Sequence, residues 1–360
     1  MTAREALRRA ADRPPGEAAA PTIGLIGRDV PPAIVEAAGA HPHRLRGVPG
    51  TDMSAADAYL GRGLDPAARS LLAGLLTTGF AGLDGIVAGS DSDASQRVFY
   101  LLRELRRVDP AAGVPPVHLV DVLHGPSPAV RDYTRDRLAE FRDVLAGWTG
   151  RRAGDDDLER ALADHEELRR SLLDLAEARR DRHPRFTGSD LLLARHAAGR
   201  LPARTARPLV DALRGEPRDE VDGVRIVLSG SDHEEPAVTA AIEAAGALVV
   251  ADDHGTGELG LDLPYGGGLD GLAARAVADG VTAQRGRIAA RAARTADAVR
   301  RSAAAGVLVY GRRQDDAVGW DVAAQRRALA VPLETVSGQD FGRIDPDGLR
   351  AALAAIGAGR

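Results

Sequence analysis

Apolar residues occur along the chain in short runs that alternate with segments of helical spacing. In the first third, the short runs predict buried strands at residues 22–27, 85–88 and 116–120. Helical spacing between and after them predicts helices at residues 31–40, 67–77 and 95–107. Because short connections join each strand to the next helix, this alternation predicts a parallel sheet with helices on both faces.

The pattern changes in the middle of the chain and then returns. Residues 129–214 contain no credible strand and carry apolar residues at helical spacing, which predicts a helical segment. A second alternation follows, with predicted strands at residues 224–228, 248–251, 306–309 and 332–336. The helices predicted between them lie at residues 236–244, 269–278, 282–304 and 321–328. Residues 255–271 are rich in glycine and predict a long surface loop.

These patterns together predict an α/β protein with two doubly wound parallel-sheet domains and a helical segment between them. We expect a flexible N-terminus at residues 1–20, a first α/β domain at 21–128, the helical segment at 129–215 and a second α/β domain at 216–360. A chain of 360 residues is long enough for two such cores.

Composition excludes several classes of partner. The net charge is −5, although all 47 basic residues are arginine, so no overall field attracts nucleic acid or a membrane surface. No run of about 18 apolar residues is present to span a bilayer. The start of the chain is polar and arginine-rich, unlike a secretory signal, and we expect a cytoplasmic protein.

Three short segments carry most of the functional information. They are Leu64-Asp65-Pro66-Ala67-Ala68-Arg69-Ser70, Gly85-Ile86-Val87-Ala88-Gly89-Ser90-Asp91-Ser92-Asp93 and Asp315-Asp316-Ala317-Val318-Gly319-Trp320-Asp321. They resemble segments of the 2-hydroxyacyl-CoA dehydratase and benzoyl-CoA reductase family, whose typical members read Leu-Cys-Pro-x-x-Lys-Ser, Gly-Ile-Val-x-x-x-x-Cys-Asp and Cys-Asp-x-x-Gly-Phe-Asp. Asp65, Ser92 and Asp315 stand where that family has cysteine, and the chain contains no cysteine at all.

The resemblance extends over nearly the whole chain. Residues 30–40 are similar to the family's amino-terminal pattern Val-Pro-x-x-x-x-x-Ala-x-Gly-Ala. Residues 225–231 are similar to its Arg-Ile-x-x-x-Gly segment, and residues 242–253 to its Ile-Glu-x-x-Gly-Ala-x-Val-Val-x-x-Asp run. Six matches occur in the right order, with the helical segment between them, so the chain resembles this family over nearly its whole length.

The resemblance implies that Asp65, Ser92 and Asp315 meet in one cleft between the two α/β domains. In the family, three cysteines at these places hold a [4Fe–4S] cluster that passes one electron to a bound acyl thioester. This chain has no thiolate for such a cluster. Two carboxylates and a hydroxyl suit hard cations, so one hypothesis is a Mg²⁺, Mn²⁺ or Ca²⁺ site. Neighbouring carboxylates that could add a second shell are Asp91, Asp93 and Asp316.

Two further interpretations of these positions stay open. Asp65 before Pro66, Ser92 before a predicted helix and the loop around Asp315 are all typical of helix caps. A vacated pocket would also fill with small polar residues and water. Alternatively, two carboxylates in a closed cleft could divide their pKa values and act as an acid and a base.

Other residues are weaker candidates. The turn Ser229-Gly230-Ser231 follows a strand, so its N–H groups could bind a phosphate or thioester oxygen, although a plain turn fits the spacing equally well. His254 is a candidate general base near a strand end. Arg287, Arg291 and Arg294 share one face of a predicted helix and could contact the phosphates of CoA, or simply face solvent. We expect Trp148 and Trp320 to be packing residues.

Two functional interpretations follow from the resemblance. In the first, the protein acts on an acyl thioester such as an acyl-CoA by redox-neutral, lyase- or hydratase-like chemistry. In the second, it is a non-catalytic partner subunit of a cluster-bearing paralogue, or a ligand-binding protein. The family works as a dimer of related subunits, so we expect a homodimer or a heterodimer with a paralogous subunit.

Overall fold

The computed structural model describes residues 1–216, 218–234, 236–278 and 285–358. Within these residues the chain forms two sheets, each of four parallel strands. The strands of the first sheet are β1 (Thr22–Ile26), β2 (His41–Arg44), β3 (Gly85–Gly89) and β4 (Val117–Val120). Those of the second are β5 (Val224–Gly230), β6 (Ala247–Asp252), β7 (Gly306–Arg312) and β8 (Leu333–Gln339). The α/β class with two parallel-sheet units is therefore confirmed.

The helices fill the connections and the middle of the chain. Those before and around the first sheet are α1 (Ala3–Ala11), α2 (Pro32–Ala37), α3 (Ser54–Leu60), α4 (Pro66–Thr78) and α5 (Asp93–Val108). The middle of the chain forms α6 (Pro128–Thr149), α7 (Asp155–Ala178), α8 (Gly188–Ala198) and α9 (Ala203–Gly215). The helices of the second half are α10 (Pro236–Ala244), α11 (Gly268–Ala278), α12 (Ile288–Ser302), α13 (Ala317–Ala328) and α14 (Pro346–Ala358).

The two sheets share one strand order. The first runs β2-β1-β3-β4 and the second β6-β5-β7-β8, so each half repeats the same topology. Apolar side chains cover both faces of each sheet, as expected for parallel strands between helices. In each sheet the second strand lies on one side of the first strand, and the third and fourth lie on its other side. The strand order therefore switches between β1 and β3 in the first sheet and between β5 and β7 in the second. Ligands of open α/β sheets bind beyond the carboxyl ends of the strands at such switch points.

Strand β2 was missed by the hydrophobic pattern. Its residues His41-Pro42-His43-Arg44 form no apolar run, yet the first three are buried. Proline is tolerated here because β2 lies at the edge of the sheet, where one side of the strand needs no ladder hydrogen bonds. Helices α3 and α14 also have no counterpart in the sequence prediction.

The start of the chain differs from the flexible segment that we expected at residues 1–20. Thr2 caps helix α1 and forms a capping box with Glu5. Leu7, Ala10 and Ala11 are buried in an apolar cluster with helices α7, α8 and α9. The apolar face of α1 thus has a tertiary partner, which a local pattern cannot reveal.

The middle helices contact both halves of the chain. Helix α6 packs on β4, α7 packs on α2, and α8 packs on β6 and α10. Helix α11, expected in the second domain, packs against α6 and α7. The domain division at residues 128 and 215 stays a prediction, because the contacts cross both positions. No helix in the described part of the chain is long and apolar enough to cross a membrane.

Two predicted segments need revision. Residues 282–284 of the predicted helix 282–304 lie outside the described residues, and the observed helix α12 begins at Ile288. The glycine-rich segment 255–271 is not a wholly exposed loop, since Leu259 and Leu261 are each 3% exposed. Arg169 donates a hydrogen bond to the carbonyl of Leu261, which fixes the segment against α7.

Candidate functional site

The carboxyl ends of both sheets face a common cleft with a volume of about 500 Å³. Its walls include residues that follow the switch-point strands of each sheet: Arg28, Asp91, Ser92, Asp232, Arg312 and Asp315. Asp65, at the start of α4, lines it too. The expectation that Asp65, Ser92 and Asp315 share one cleft between the sheets therefore agrees with the structure.

A glycine with positive φ lies at the carboxyl end of the first strand of each switch point. Gly27 (φ +78°) packs so closely on Asp91 that a side chain would collide with the carboxylate, and Asp91 accepts the N–H of Arg28 at 2.7 Å. Gly230 (φ +106°) lies directly on the backbone of Tyr310. Both turns require glycine, and both direct the following residues into the cleft.

Asp65 has two partners. Its Oδ1 accepts the N–H of Ala67 at 2.8 Å, which makes it the N-cap of α4. Its Oδ2 accepts from Nη2 of Arg312 at 2.8 Å. The Arg312 side chain is 6% exposed and also donates to the carbonyl of Asp232. This ion pair joins the first half of the chain to the second, since Arg312 ends β7.

Ser92 is the N-cap of α5. Its Oγ accepts the N–H of Ser95 at 3.0 Å and donates to the Ser95 hydroxyl at 2.9 Å. The backbone of Ser92 is extended, as N-cap residues usually are. The helix-cap interpretation thus accounts fully for the hydrogen bonds of this position.

Asp315 also binds the start of a helix. Its Oδ1 accepts the N–H of Ala317, the first residue of α13, at 3.2 Å, and its Oδ2 accepts the Ser231 hydroxyl at 2.7 Å. The same Ser231 Oγ accepts the N–H of Arg312 at 2.9 Å. A continuous set of hydrogen bonds therefore runs from Asp65 through Arg312 and Ser231 to Asp315.

The three positions do not fit a cysteine-ligated iron–sulfur cluster. They offer carboxylates and a hydroxyl instead of thiolates, and the Arg312 guanidinium occupies one oxygen of Asp65. Across residues 1–216, 218–234, 236–278 and 285–358, no group of three or more His, Asp or Glu side chains is arranged to hold a metal ion. The divalent-cation site stays a prediction without support from this geometry.

The three proposed outer carboxylates differ among themselves. Asp91 lines the cleft, and its Oδ1 is buried without a hydrogen-bond partner among the described residues. Asp93 is exposed and pairs with Arg97 at 2.8 Å, one helical turn along α5. Asp316 is exposed. Only Asp91 is thus placed to influence a ligand from a buried position.

Asp253, directly after β6, is the most unusual carboxyl group of the cleft. Its Oδ2 accepts the hydroxyls of Ser229 at 2.8 Å and Thr295 at 2.7 Å. Gln325 donates to both hydroxyls, at 2.9 and 3.1 Å, and holds them in this orientation. Burial nevertheless raises the pKa of Asp253 above its usual range, because desolvation outweighs these hydrogen bonds and the nearby His254.

The weaker candidates have largely structural partners. Ser229 and Ser231 direct their hydroxyls to Asp253 and Asp315, and the N–H of Ser231 donates to the carbonyl of Tyr310 at 2.7 Å. His254 is 4% exposed and stacks edge-on against His233, with ring centroids 4.9 Å apart. The hydroxyls of Ser229 and Ser231 and the N–H of Ser231 therefore have partners within the protein, and the anion-binding role of the N–H groups of this turn stays a prediction.

The predicted arginine face divides in two. Arg291 and Arg294 line the cleft, whereas Arg287 is exposed outside it. Arg291 pairs with Asp321 through a 2.8 Å hydrogen bond from Nε, and Arg294 lies 3.5 Å from Asp262. Arg294 is thus the member of this face with the weaker ion pair.

The two tryptophans also differ. Trp148 packs on the core of the first sheet and fills the space above Gly85, as expected of a packing residue. Trp320 is 72% exposed on α13, so the expectation that it packs inside was wrong. Its position on the outer side of a helix could not be read from local pattern.

Sequence reasoning missed Arg312, Asp253 and Gln325. Arg312 was hidden because arginine is the chain's only long cation, so one more after a strand carried no signal. Asp253 follows a strand beside His254 and could have been found by the rule that ligands bind beyond the carboxyl ends of parallel strands. Gln325 comes from a helix far along the chain, and no local signal indicates it.

One protein family matches most of this chain. The model of the family described as 2-hydroxyglutaryl-CoA dehydratase, D-component, matches residues 29–338. Because this match covers most of the chain, the protein belongs to that family, and its lack of cysteine makes it a member without the cluster ligands. No curated protein gives a significant match to the chain.

Proposed function

We propose that this protein binds an acyl thioester in the cleft between its two sheets and acts on it by redox-neutral, hydro-lyase-like chemistry. The observation that carries the proposal is Asp253, a buried carboxyl group with a raised pKa on the wall of a cleft of about 500 Å³. A carboxyl group that keeps its proton nearer to neutral pH is suited to general acid catalysis.

The proposed step needs no electron donor. Asp253 gives its proton to a hydroxyl group of the acyl chain, which leaves as water. The electron pair of the neighbouring C–H bond forms the double bond, and a carboxylate accepts the released proton. Asp315 is the proposed acceptor, because each of its oxygens accepts one hydrogen bond and retains a second lone pair.

Cations of the cleft support binding of the thioester's anionic carrier. Arg294 is 28% exposed and its nearest carboxylate, on Asp262, lies 3.5 Å away, so it can reach a phosphate without breaking a close ion pair. A CoA carrier would extend beyond the cleft, whose volume suits the acyl and thioester portion of such a molecule.

A second candidate function is a non-catalytic partner subunit. It is favoured by the three cluster positions, which are all engaged as helix caps or ion pairs, and by the exposed Trp320 on α13 beside the cleft. In this interpretation the chain would pair with a paralogue that retains the cysteines. Localisation in the cytoplasm and the dimeric state remain part of the proposal.

The test combines binding and turnover. Wild-type protein is titrated with CoA and with 2-enoyl- and hydroxyacyl-CoA thioesters, and loss of the enoyl absorbance is followed in the same samples. We expect saturable binding that weakens in Arg294→Gln and turnover that falls by at least 100-fold in Asp253→Asn with binding retained. Binding without turnover in the wild type would favour the partner subunit, and absence of thioester binding would reject the enzymatic role.

A further inference from the structure

A second cavity lies beside the cleft, enclosed by α2, α7, α8, α11 and the glycine-rich segment 255–267. Its volume is about 230 Å³, and it shares Arg28, Arg46 and Glu234 with the wall of the cleft. At ~30 Å³ for each water of liquid, this is room for about eight water molecules. We call it the inner cavity, and it can hold a small organic molecule.

The inner cavity has a large excess of positive charge. Eight arginines of the described residues line it, against the two carboxyl groups of Asp29 and Glu234. Asp29 already pairs with Arg285. Burial raises the pKa of Glu234, which weakens the negative charge it can supply. Among the described residues, the two carboxyl groups on the wall therefore cannot balance the charge of the eight arginines.

Four of these arginines have no carboxylate within ion-pair distance among the described residues. They are Arg44, Arg195, Arg200 and Arg275. Their hydrogen bonds go to backbone carbonyls: Arg195 donates to Gly255 at 3.2 Å, for example, and Arg275 to Gly260 at 2.7 Å. A carbonyl satisfies one N–H group but leaves the net charge, which is costly in a buried site.

The arginines of the inner cavity affect one another's charge. Burial lowers the pKa of Arg195 to about 10, and the neighbouring Arg28, Arg44 and Arg275 contribute to that shift. His196 also lines the cavity, and burial lowers its pKa well below the usual range. The His196 Nε2 atom is buried without a hydrogen-bond partner in the described part of the chain. Guanidinium groups that line one cavity without a carboxylate among the described residues favour an anion between them.

Part of the wall of the inner cavity is apolar. Leu138, Leu168, Leu172 and Leu272 contribute to its wall. A hydrated inorganic ion would leave these side chains against water, whereas a carboxylate on a short hydrocarbon chain would cover them. We propose that the inner cavity binds a small aliphatic carboxylate, with its anionic group held by Arg44, Arg195 and Arg275 and its hydrocarbon part against the leucines.

A simpler role for these arginines is to hold the glycine-rich segment in place, since Arg195 and Arg275 both donate to its carbonyls. The two roles predict opposite stability changes. If Arg195 is only a tether, Arg195→Gln lowers the stability of the ligand-free protein. If it is an uncompensated buried charge kept for a ligand, the substitution leaves stability unchanged or raises it while binding is lost.

The experiment is isothermal titration of the full-length wild-type protein with butanoate, succinate, inorganic phosphate and butanol. We expect saturable binding of the carboxylates, none of butanol, and affinity reduced at least tenfold in Arg195→Gln. The matched control is Arg225→Gln, because Arg225 also donates to backbone carbonyls, at 2.8–2.9 Å, but lies outside both cavities. Its carboxylate affinity should equal that of the wild type. Thermal unfolding of each ligand-free variant gives the second readout.

Several results would overturn the proposal. They are no saturable carboxylate binding by the wild type, phosphate binding as tight as that of butanoate, or carboxylate binding that survives in Arg195→Gln. If Arg195→Gln does not fold, the tether role is supported, and Arg275→Gln decides whether carboxylate binding also needs a cavity arginine. Because no probe contains a thioester, the outcome is independent of the proposed cleft chemistry.

Discussion

The cleft and the inner cavity share a wall, yet they differ in how far their charged side chains are paired. In the cleft, Asp65 pairs with Arg312, Asp315 accepts the Ser231 hydroxyl and Ser92 caps a helix. In the inner cavity, arginines such as Arg195 and Arg200 have only carbonyl partners among the described residues. Where a polar side chain has a partner, as these three residues have, it stabilises the fold. Where charge is left over, the protein can stabilise a ligand.

This difference predicts opposite signs for the change in the free energy of unfolding when a residue is replaced. Removing a paired group from the cleft takes a hydrogen bond from its partner and should destabilise the protein. Removing an uncompensated arginine from the inner cavity should not. Four predictions follow, ordered from the largest expected change in the free energy of unfolding to the smallest.

The largest effect is expected from Asp65→Ala combined with Asp315→Ala. The N-cap of α4 is lost at about 1 kcal/mol, and the two hydrogen bonds that Asp315 accepts from Ala317 and Ser231 are lost at about 1 kcal/mol together. The buried Arg312 loses the carboxylate of Asp65, which adds about 2 kcal/mol. Urea unfolding should show a loss of about 4 kcal/mol, whereas the exposed control Asp93→Ala should change stability by less than about 0.5 kcal/mol. A near-stoichiometric divalent metal in the wild type that disappears in the double variant, without a stability loss, would instead support the metal hypothesis.

The second prediction concerns acid unfolding. Burial, with Arg200, His41, Arg13 and Arg46 nearby, lowers the pKa of His43 to about 3. The folded protein keeps this ring neutral, while the unfolded chain protonates it below pH 6.5. Its contribution is therefore fully present above pH 6.5 and is lost as the pH falls towards 3.

The loss should reach at most about 1.4 kcal/mol per pH unit. Urea unfolding from pH 7 to pH 4 should show a shallower decline in His43→Gln than in the wild type. Equal slopes in the two proteins would mean that protonation of His43 does not contribute to acid unfolding. His183→Gln, at an exposed position, is the control.

The third prediction is a gain in stability. Arg200→Met removes an inner-cavity cation whose pKa burial and Arg46 lower to about 10, and whose hydrogen bond goes to the carbonyl of Arg13. We expect the unfolding free energy to rise by about 1 kcal/mol, because a methionine packs there without desolvating a charge. Thermal unfolding at low salt is the measurement. A loss of more than about 1 kcal/mol would remove the distinction between the two cavities.

An effect as small as that of Arg200→Met is expected from Ser92→Ala. The N-cap of α5 is lost, which should cost about 1 kcal/mol and leave carboxylate binding in the inner cavity unchanged. Ser92→Asp should restore the cap, because aspartate accepts the same N–H. If both variants bind carboxylates more weakly than the wild type, the inner cavity and the cleft are not separate sites.

Much of the architecture could be predicted from the sequence. The strand-and-helix alternation defined both parallel sheets, and the motifs around Asp65, Ser92 and Asp315 identified the family and the cleft. Strand β2 and helix α1 could not be predicted, since their burial depends on neighbours far along the chain rather than on local apolar pattern. The partners of the three site residues could be predicted only in part. Their helix caps are local, but the Arg312 contact joins positions 247 residues apart.

The sequence by itself determined the fold class, the absence of cysteine and therefore the loss of a thiolate-held cluster. Those properties depend on residue identity and on hydrogen bonds between near neighbours. The tertiary structure alone decided which of 47 arginines face one another across a cavity and which carboxyl group is buried with a raised pKa. Charge compensation depends on distances through space and on exclusion of water, and the order of residues along a chain specifies neither.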